Sequence, residues 1–166
     1  MRTRHLILVS LIACVVAGCV SGALESYKPK TPDEEQILIV LKKFQTGVNT
    51  KSVDILMQPY ADDVYVGNFH KYIGVAGPGA LARVSKPELR QAYAQLFKYV
   101  KEVSVDVKDF TLKVQGDRAV AEATTDLLLK IEAARKEAKS EVVRNEVTWR
   151  LKRGPLGWRI QEEIFH

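Results

Sequence analysis

At Glu102 the apolar residues of this chain change their spacing, and that change restricts the fold more than any other feature. Ahead of it they recur at three- and four-residue intervals, the mark of amphipathic helices. Behind it they recur at every second position, the mark of strands with one buried face. Helices and strands segregated in this way indicate an α+β domain, with a mostly antiparallel sheet covered on one face by helices.

The helical half carries two clear start signals. Thr31-Pro32-Asp33-Glu34 offers an N-cap, a proline at the first helical position and an acid three residues after the cap. Ile37, Val40, Leu41, Phe44 and Val48 then form one apolar face, so a helix is predicted to about Val48, broken by Gly47 and Asn49-Thr50. Val53, Leu56, Met57 and Tyr60 predict a shorter helix ending near Pro59, with Ala61-Asp62-Asp63 as a turn and Val64 to Val66 as a short strand. Gly67 to Ala82 holds four glycines and Pro78, and reads as a mobile connection or a bulged edge strand. Its GVAGPGA stretch lacks the spacing and the lysine of a phosphate-binding loop, and no cofactor is expected. Ser85-Lys86-Pro87-Glu88 starts the third helix, with Leu89, Ala92, Tyr93, Leu96, Phe97 and Val100 facing inward.

In the strand half, Val103, Val105 and Val107 point one way, and Phe110, Leu112 and Val114 continue on the other parity. A bulge or bend is therefore predicted near Lys108-Asp109. After a hairpin at Gln115-Gly116-Asp117, the inner row runs through Ala119, Ala121, Ala123, Thr125, Leu127, Leu129 and Ile131. Ala133 to Lys139 is a hairpin tip or a stray helical turn. Val143, Asn145, Val147, Trp149 and Leu151 form the next inner row. Beyond a turn at Gly154-Pro155-Leu156-Gly157, simple alternation assigns Trp158, Ile160, Glu162 and Ile164 to the last one, and leaves Val120, Leu128, Val142 and Phe165 outside.

The amino-terminal residues give an address. Arg2, Arg4 and His5 precede the apolar run Leu6 to Val16, and Ala17-Gly18-Cys19 follows. This is the layout of a secretory signal peptide, shorter than the ~20 apolar residues of a permanent span. Val16-Ala17-Gly18-Cys19 resembles a bacterial lipobox, which implies a signal peptide over residues 1–18 and a lipidated Cys19. The expected product is anchored to the bacterial cell envelope, and Val20 after the cysteine points to the outer membrane, facing the periplasm. Loss of Met1 to Gly18 takes the formal charge from +5 to +3 and removes Cys14, so no thiol is left for a disulfide, a redox pair or a zinc–thiolate site. The small positive excess is spread along the chain, unlike that of a nucleic-acid binder, so nucleic acid is not an expected partner. Residues 19–31 read as the lipidated cysteine and a flexible tether, reaching on the order of 20 Å, with Tyr27 either free or packed on the domain. Residues 32–166 read as a single domain.

The order of elements resembles the nuclear transport factor 2-like superfamily, close to its SnoaL-like members, from Pro32 to the C-terminus. The resemblance rests on the opening helix, on Tyr60-Ala61-Asp62-Asp63-Val64, on the Lys86 to Tyr99 helix, and on Val147-Thr148-Trp149-Arg150-Leu151 through Gly157-Trp158-Arg159-Ile160. It implies a cone-shaped, strongly curved sheet around a long helix, a cystatin-like arrangement with an apolar pocket at its open end. It also implies one of two functions, since some members are isomerases, dehydratases or epoxide hydrolases and others only bind ligands or proteins.

Two polar residues intrude on the expected inner rows. Glu162 among Val147, Trp149, Trp158 and Ile160 would be desolvated, and could serve as a proton-transfer group or sit solvated at a strand end. Asn145 could bind a ligand or satisfy a backbone group. Trp149 and Trp158 could line the pocket or belong to the core. Asp62 and Asp63 suit local turn hydrogen bonds or a carboxylate pair. His70, the one histidine inside the domain, is expected on a surface loop, and no metal site is expected without a second histidine beside it. The expected function is a non-catalytic, lipid-anchored module that binds a small apolar ligand or an envelope protein, with a homodimer allowed. The alternative is a small isomerase- or dehydratase-type enzyme using Glu162. Cys19→Ala should move the protein from the membrane pellet to the soluble fraction; unchanged membrane association would exclude the anchor.

Overall fold

The computed structural model describes residues 22–74, 82–131 and 139–166. Cys19, the signal segment, residues 133–138 of the last uncertain connection and residues 75–81 of the glycine-rich stretch lie outside them. Among the described residues five helices and six strands follow in chain order: α1 Ala23–Ser26, α2 Pro32–Asn49, α3 Val53–Met57, β1 Tyr60–Gly67, α4 Phe69–Tyr72, β2 Arg83–Ser85, α5 Lys86–Tyr99, β3 Val100–Gln115, β4 Arg118–Ile131, β5 Lys139–Gly154 and β6 Gly157–Phe165. The strands form one open sheet in the order β2-β1-β6-β5-β4-β3. β1 runs parallel to β6 and every other pairing is antiparallel. The expected α+β class and mostly antiparallel sheet are therefore present.

Both long helices begin as their caps dictate. Thr31 Oγ1 accepts from the Glu34 amide at 3.2 Å, and Glu88 Oε2 accepts from the Ser85 amide at 2.7 Å. α2 packs on β3 and on β6, strands separated by β4 and β5, so the inner face of the sheet wraps around it. Ile37, Leu41, Phe44 and Val48 are fully buried there, and Phe44 meets the ring of Trp149 edge to face at 5.8 Å. One turn apart on α2, Gln45 and Asn49 also cover the free edge of β3. Gln45 Nε2 donates to the Val105 carbonyl at 3.1 Å, and the Val105 amide donates to Asn49 Oδ1 at 2.7 Å. The edge of β3 is thereby occupied at Val105, where another strand would otherwise pair.

The inner rows expected on β3, β4 and β5 are present except that Ile131, at the end of β4, is exposed, and β3 carries its bulge between Lys108 and Thr111, with Asp109 at φ 51°. β6 differs from expectation. Its pairing with β5 jumps from Arg150↔Glu162 to Leu151↔Ile160, so Gln161 is an extra residue and the parity reverses after it. Glu163 and Phe165 face the core, and Glu162 does not. Phe165, expected outside, is completely buried for the same reason.

The chain ahead of α2 is also more ordered than a tether. Leu24 of α1 is buried, Glu25 pairs with Lys42 at 3.0 Å, and Tyr27 packs edge to face on Phe110 at 5.1 Å while donating to Glu34. The expected turn at Ala61-Asp62-Asp63 is the start of β1, and α4 occupies part of the expected loop. Among the described residues no helix is long and apolar enough to cross a membrane.

Gly47 shows how closely α2 and α3 approach. A Cβ there would lie 2.5 Å from the Leu56 Cα, in contact with backbone that cannot rotate away. Gly47→Ala should therefore lower unfolding stability by about 1–3 kcal/mol despite the better helix propensity of alanine; a urea melt with an unchanged or raised midpoint would contradict this packing.

Candidate functional site

The bulge at Gln161 turns one carboxylate into the centre of the interior. Glu163 is completely buried on β6 between β1 and β5. Tyr60, at the start of β1, donates its hydroxyl to Glu163 Oε2 at 2.7 Å, and Trp149 of β5 donates its indole N–H to Oε1 at 2.6 Å. No cation forms an ion pair with it among the described residues. Burial pushes its carboxyl up to about 7, and the two donors restrain that rise because they favour the charged form. Both protonation states are thus accessible near neutral pH.

An aromatic layer adjoins this carboxylate. Tyr72 of α4 stacks on Phe165 at 4.5 Å, and Tyr93 of α5 lies 6.2 Å from the Tyr72 ring and 5.1 Å from Phe69. Burial, and then the nearby Glu163 charge, raise the Tyr72 hydroxyl. For Tyr93 the causes are burial, then the neighbouring Tyr72 and Tyr60, then Glu163. The Tyr72 and Tyr93 hydroxyls are close enough to perturb one another, yet neither makes a hydrogen bond of acceptable geometry. His70 Nδ1 and Asn145 Nδ2 are likewise buried without a partner among the described residues. Buried polar atoms nearly always have partners, and one left without costs about 1–3 kcal/mol. Two of these atoms, the Tyr72 and Tyr93 hydroxyls, belong to the aromatic layer, and all four are free to meet another polar group.

The residues expected to form the site are only partly brought together. Asn145 and Trp149 lie on the inner row of β5 as expected, and the Asn145 carbonyl accepts from the Thr125 hydroxyl at 3.4 Å. Glu162 lies on the other face, its side chain 26% exposed and bound to Arg150 at 2.8 Å, so the expected inner-row position belongs to Glu163. Trp158 is at the hairpin end of β6, far along the strand from Asn145, where its N–H donates to Asp33 at the start of α2. Asp62 and Asp63 are exposed on β1 and form no carboxylate pair. Asp62 binds Lys86 at 2.8 Å, and the hydrogen bond and charge of that lysine hold its carboxyl below the usual range.

His70 is buried in α4, contrary to the expected surface loop, because Phe69 and Tyr72 on either side of it anchor that short helix in the core. Sequence reasoning missed Glu163, Tyr72 and His70. The one available signal was the Glu162-Glu163 pair, which puts a carboxylate on the inner face whichever parity holds. Among the described residues no group of three or more His, Cys, Asp or Glu side chains could hold a metal ion.

No family sequence model and no curated protein sequence matches the chain. Its architecture is that of nuclear transport factor 2-like proteins. It is similar to a proposed aromatic ring hydroxylase from Novosphingobium aromaticivorans, with TM-score 0.66 and 16% identity over 80% of this chain and 87% of that one. A proposed dehydratase of the nuclear transport factor 2-like family from Streptomyces avermitilis matches with TM-score 0.61 and 19% identity, over 80% and 94% of the two chains. A nuclear transport factor 2-like superfamily protein from Salmonella enterica serovar Typhimurium matches with TM-score 0.63 and 11% identity, over 80% and 88%. At these identities the likeness is one of fold.

The buried carboxyl makes stability depend on pH in a defined direction. The unfolded chain releases the Glu163 proton near the ordinary value of 4.5, while the folded chain holds it to about 7. Stability is thus greatest below 4.5 as far as this group is concerned, and falls between 4.5 and 7 by roughly 3 kcal/mol. Glu163→Gln should flatten that decline in urea melts at pH 5 and pH 8; a variant with the wild-type pH slope would show that Glu163 does not carry it.

Proposed function

We propose that the chain is a lipid-anchored binding module of the bacterial cell envelope, at the outer membrane and facing the periplasm, holding a small and largely apolar ligand in the interior beside Glu163. The observation that carries this reading is the set of buried polar atoms on Tyr72, Tyr93, His70 and Asn145 without a hydrogen-bond partner among the described residues, the two tyrosines belonging to an aromatic layer. A ligand with an apolar body and one or two polar groups would satisfy them. Binding without turnover is favoured because both oxygens of Glu163 already hold fixed donors, and burial first, then the Glu163 charge, raise the Tyr60 hydroxyl well above its ordinary value, away from proton exchange near neutral pH. The membrane assignment is supported by the Met1 to Cys19 sequence alone. For a homodimer, Val120, Leu128 and Val142 are the apolar residues that an outer-face contact would use; Phe165 is no longer among them.

One observation favours the enzyme alternative, with Glu163 in place of Glu162. A carboxyl held at about 7 can both donate and accept a proton at neutral pH, as an isomerase or dehydratase requires. The similar dehydratase fold is consistent with that chemistry without assigning it.

Native mass spectrometry of the protein purified from its own envelope should show one retained small molecule. Asn145→Leu and Tyr72→Phe should each lower the retained fraction about tenfold, as loss of one hydrogen bond to a ligand would. Glu163→Gln should leave a ligand bound. An empty protein, or a bound species converted to product by wild type but not by Glu163→Gln, would overturn the non-catalytic reading.

A further inference from the structure

A second site lies on the outside of the domain, independent of the interior. A groove of about 700 Å³ runs between α2, the α3–β1 turn and the β5–β6 hairpin, within the ~300–1,000 Å³ typical of small-molecule sites. Its two lips are apolar and open to water. Ile39 on α2 is 50% exposed, and Leu156 at the hairpin tip is 82% exposed. Single exposed apolar side chains are ordinary, but these two border the same concavity, over a floor that includes Met57 and Trp158.

The charge of the groove is one-sided. Five cations line it, Lys43, Lys86, Lys152, Arg153 and Arg159, against one carboxylate, Asp62. Lys86 is taken up by Asp62 and by the Tyr60 carbonyl, and Arg153 by Asp33 at 2.8 Å. Lys43, Lys152 and Arg159 make no ion pair among the described residues. Lys43 stands one helical turn after Ile39, so a cation follows the apolar lip along the same face of α2.

We infer that this groove binds a single anionic amphiphile, an acyl chain or other apolar body ending in a carboxylate or phosphate. A free inorganic anion would leave Ile39 and Leu156 exposed. A neutral hydrocarbon would leave three cations uncompensated, and a flat bilayer surface cannot reach Met57 and Trp158 at the floor. The amphiphile satisfies both halves of the groove. Tyr60 borders the groove and also reaches Glu163, but neither Glu163 nor Asn145 lines the groove.

Dodecyl phosphate below its critical micelle concentration, titrated calorimetrically into the full chain, tests the assignment. Wild type should bind it one to one, more weakly at high salt. Lys43→Glu combined with Lys152→Glu should weaken binding about tenfold, and Leu156→Asp by a similar factor. All three residues are exposed, so folding is spared, and the N-terminal segment is identical in every variant. Inorganic phosphate and dodecyltrimethylammonium should not compete. Equal affinity in the variants, equal binding of the cationic detergent, or binding only to phosphatidylglycerol vesicles would overturn the proposal. So would loss of binding through Asn145→Leu with the groove variants unaffected, since the amphiphile would then occupy the interior.

Discussion

Glu163 is a carboxylate placed inside a core with two neutral donors and, among the described residues, no cation paired to it, and much of the surrounding arrangement follows from accommodating it. Its two hydrogen bonds tie the first residue of β1 and the middle of β5 to β6, so three adjacent strands meet at one side chain. The extra residue Gln161 decides which acid meets these two donors: without it the ladder beyond Leu151↔Ile160 would set Glu162 opposite Trp149, and with it Glu163 takes that place.

The long helix α2 does the complementary work on the other side of the core. Its apolar face fills the curve of the sheet, and its polar side chains close the edge of β3. Its opposite flank is left with Ile39 and Lys43 exposed, and the β5–β6 hairpin rises beside it to make the groove. Asp33 at the start of α2 holds this hairpin through Arg153 and the Trp158 indole. The groove is thus tied to the core, because the helix that fills the core also forms one of its walls.

Local rules made most of the fold legible. The starts of α2 and α5 follow from capping chemistry within four residues, and the inner rows of β3 to β5 follow from strict alternation. The β3 bulge was visible because the apolar parity changes from Val107 to Phe110. The β6 bulge was hidden, since Ile164 and Phe165 are both apolar and Glu162 and Glu163 are both acidic, so either parity looks acceptable after Ile160. The site shifted by one residue as a result. α1 and α4, each four residues long, are too short to show a period; tertiary burial of Leu24, Phe69 and Tyr72 forms them.

The cost of Glu163 bears on what the interior is for. A carboxyl raised to about 7 destabilises the folded domain at neutral pH relative to a neutral group of the same shape, and the orphaned hydroxyls and amide add to that. A core of leucine and phenylalanine would be more stable, as replacement of buried polar groups by packed apolar ones often is. If only Cys19 anchors the chain, as its sequence implies, no disulfide compensates. The polar cluster is therefore poorly explained as a device for stability. It is explained if a bound molecule satisfies the unpartnered atoms, because binding to the folded state alone restores the stability that the empty interior lacks. The same molecule would then bring both order and function to the interior, and the ligand-free domain would be the less stable form.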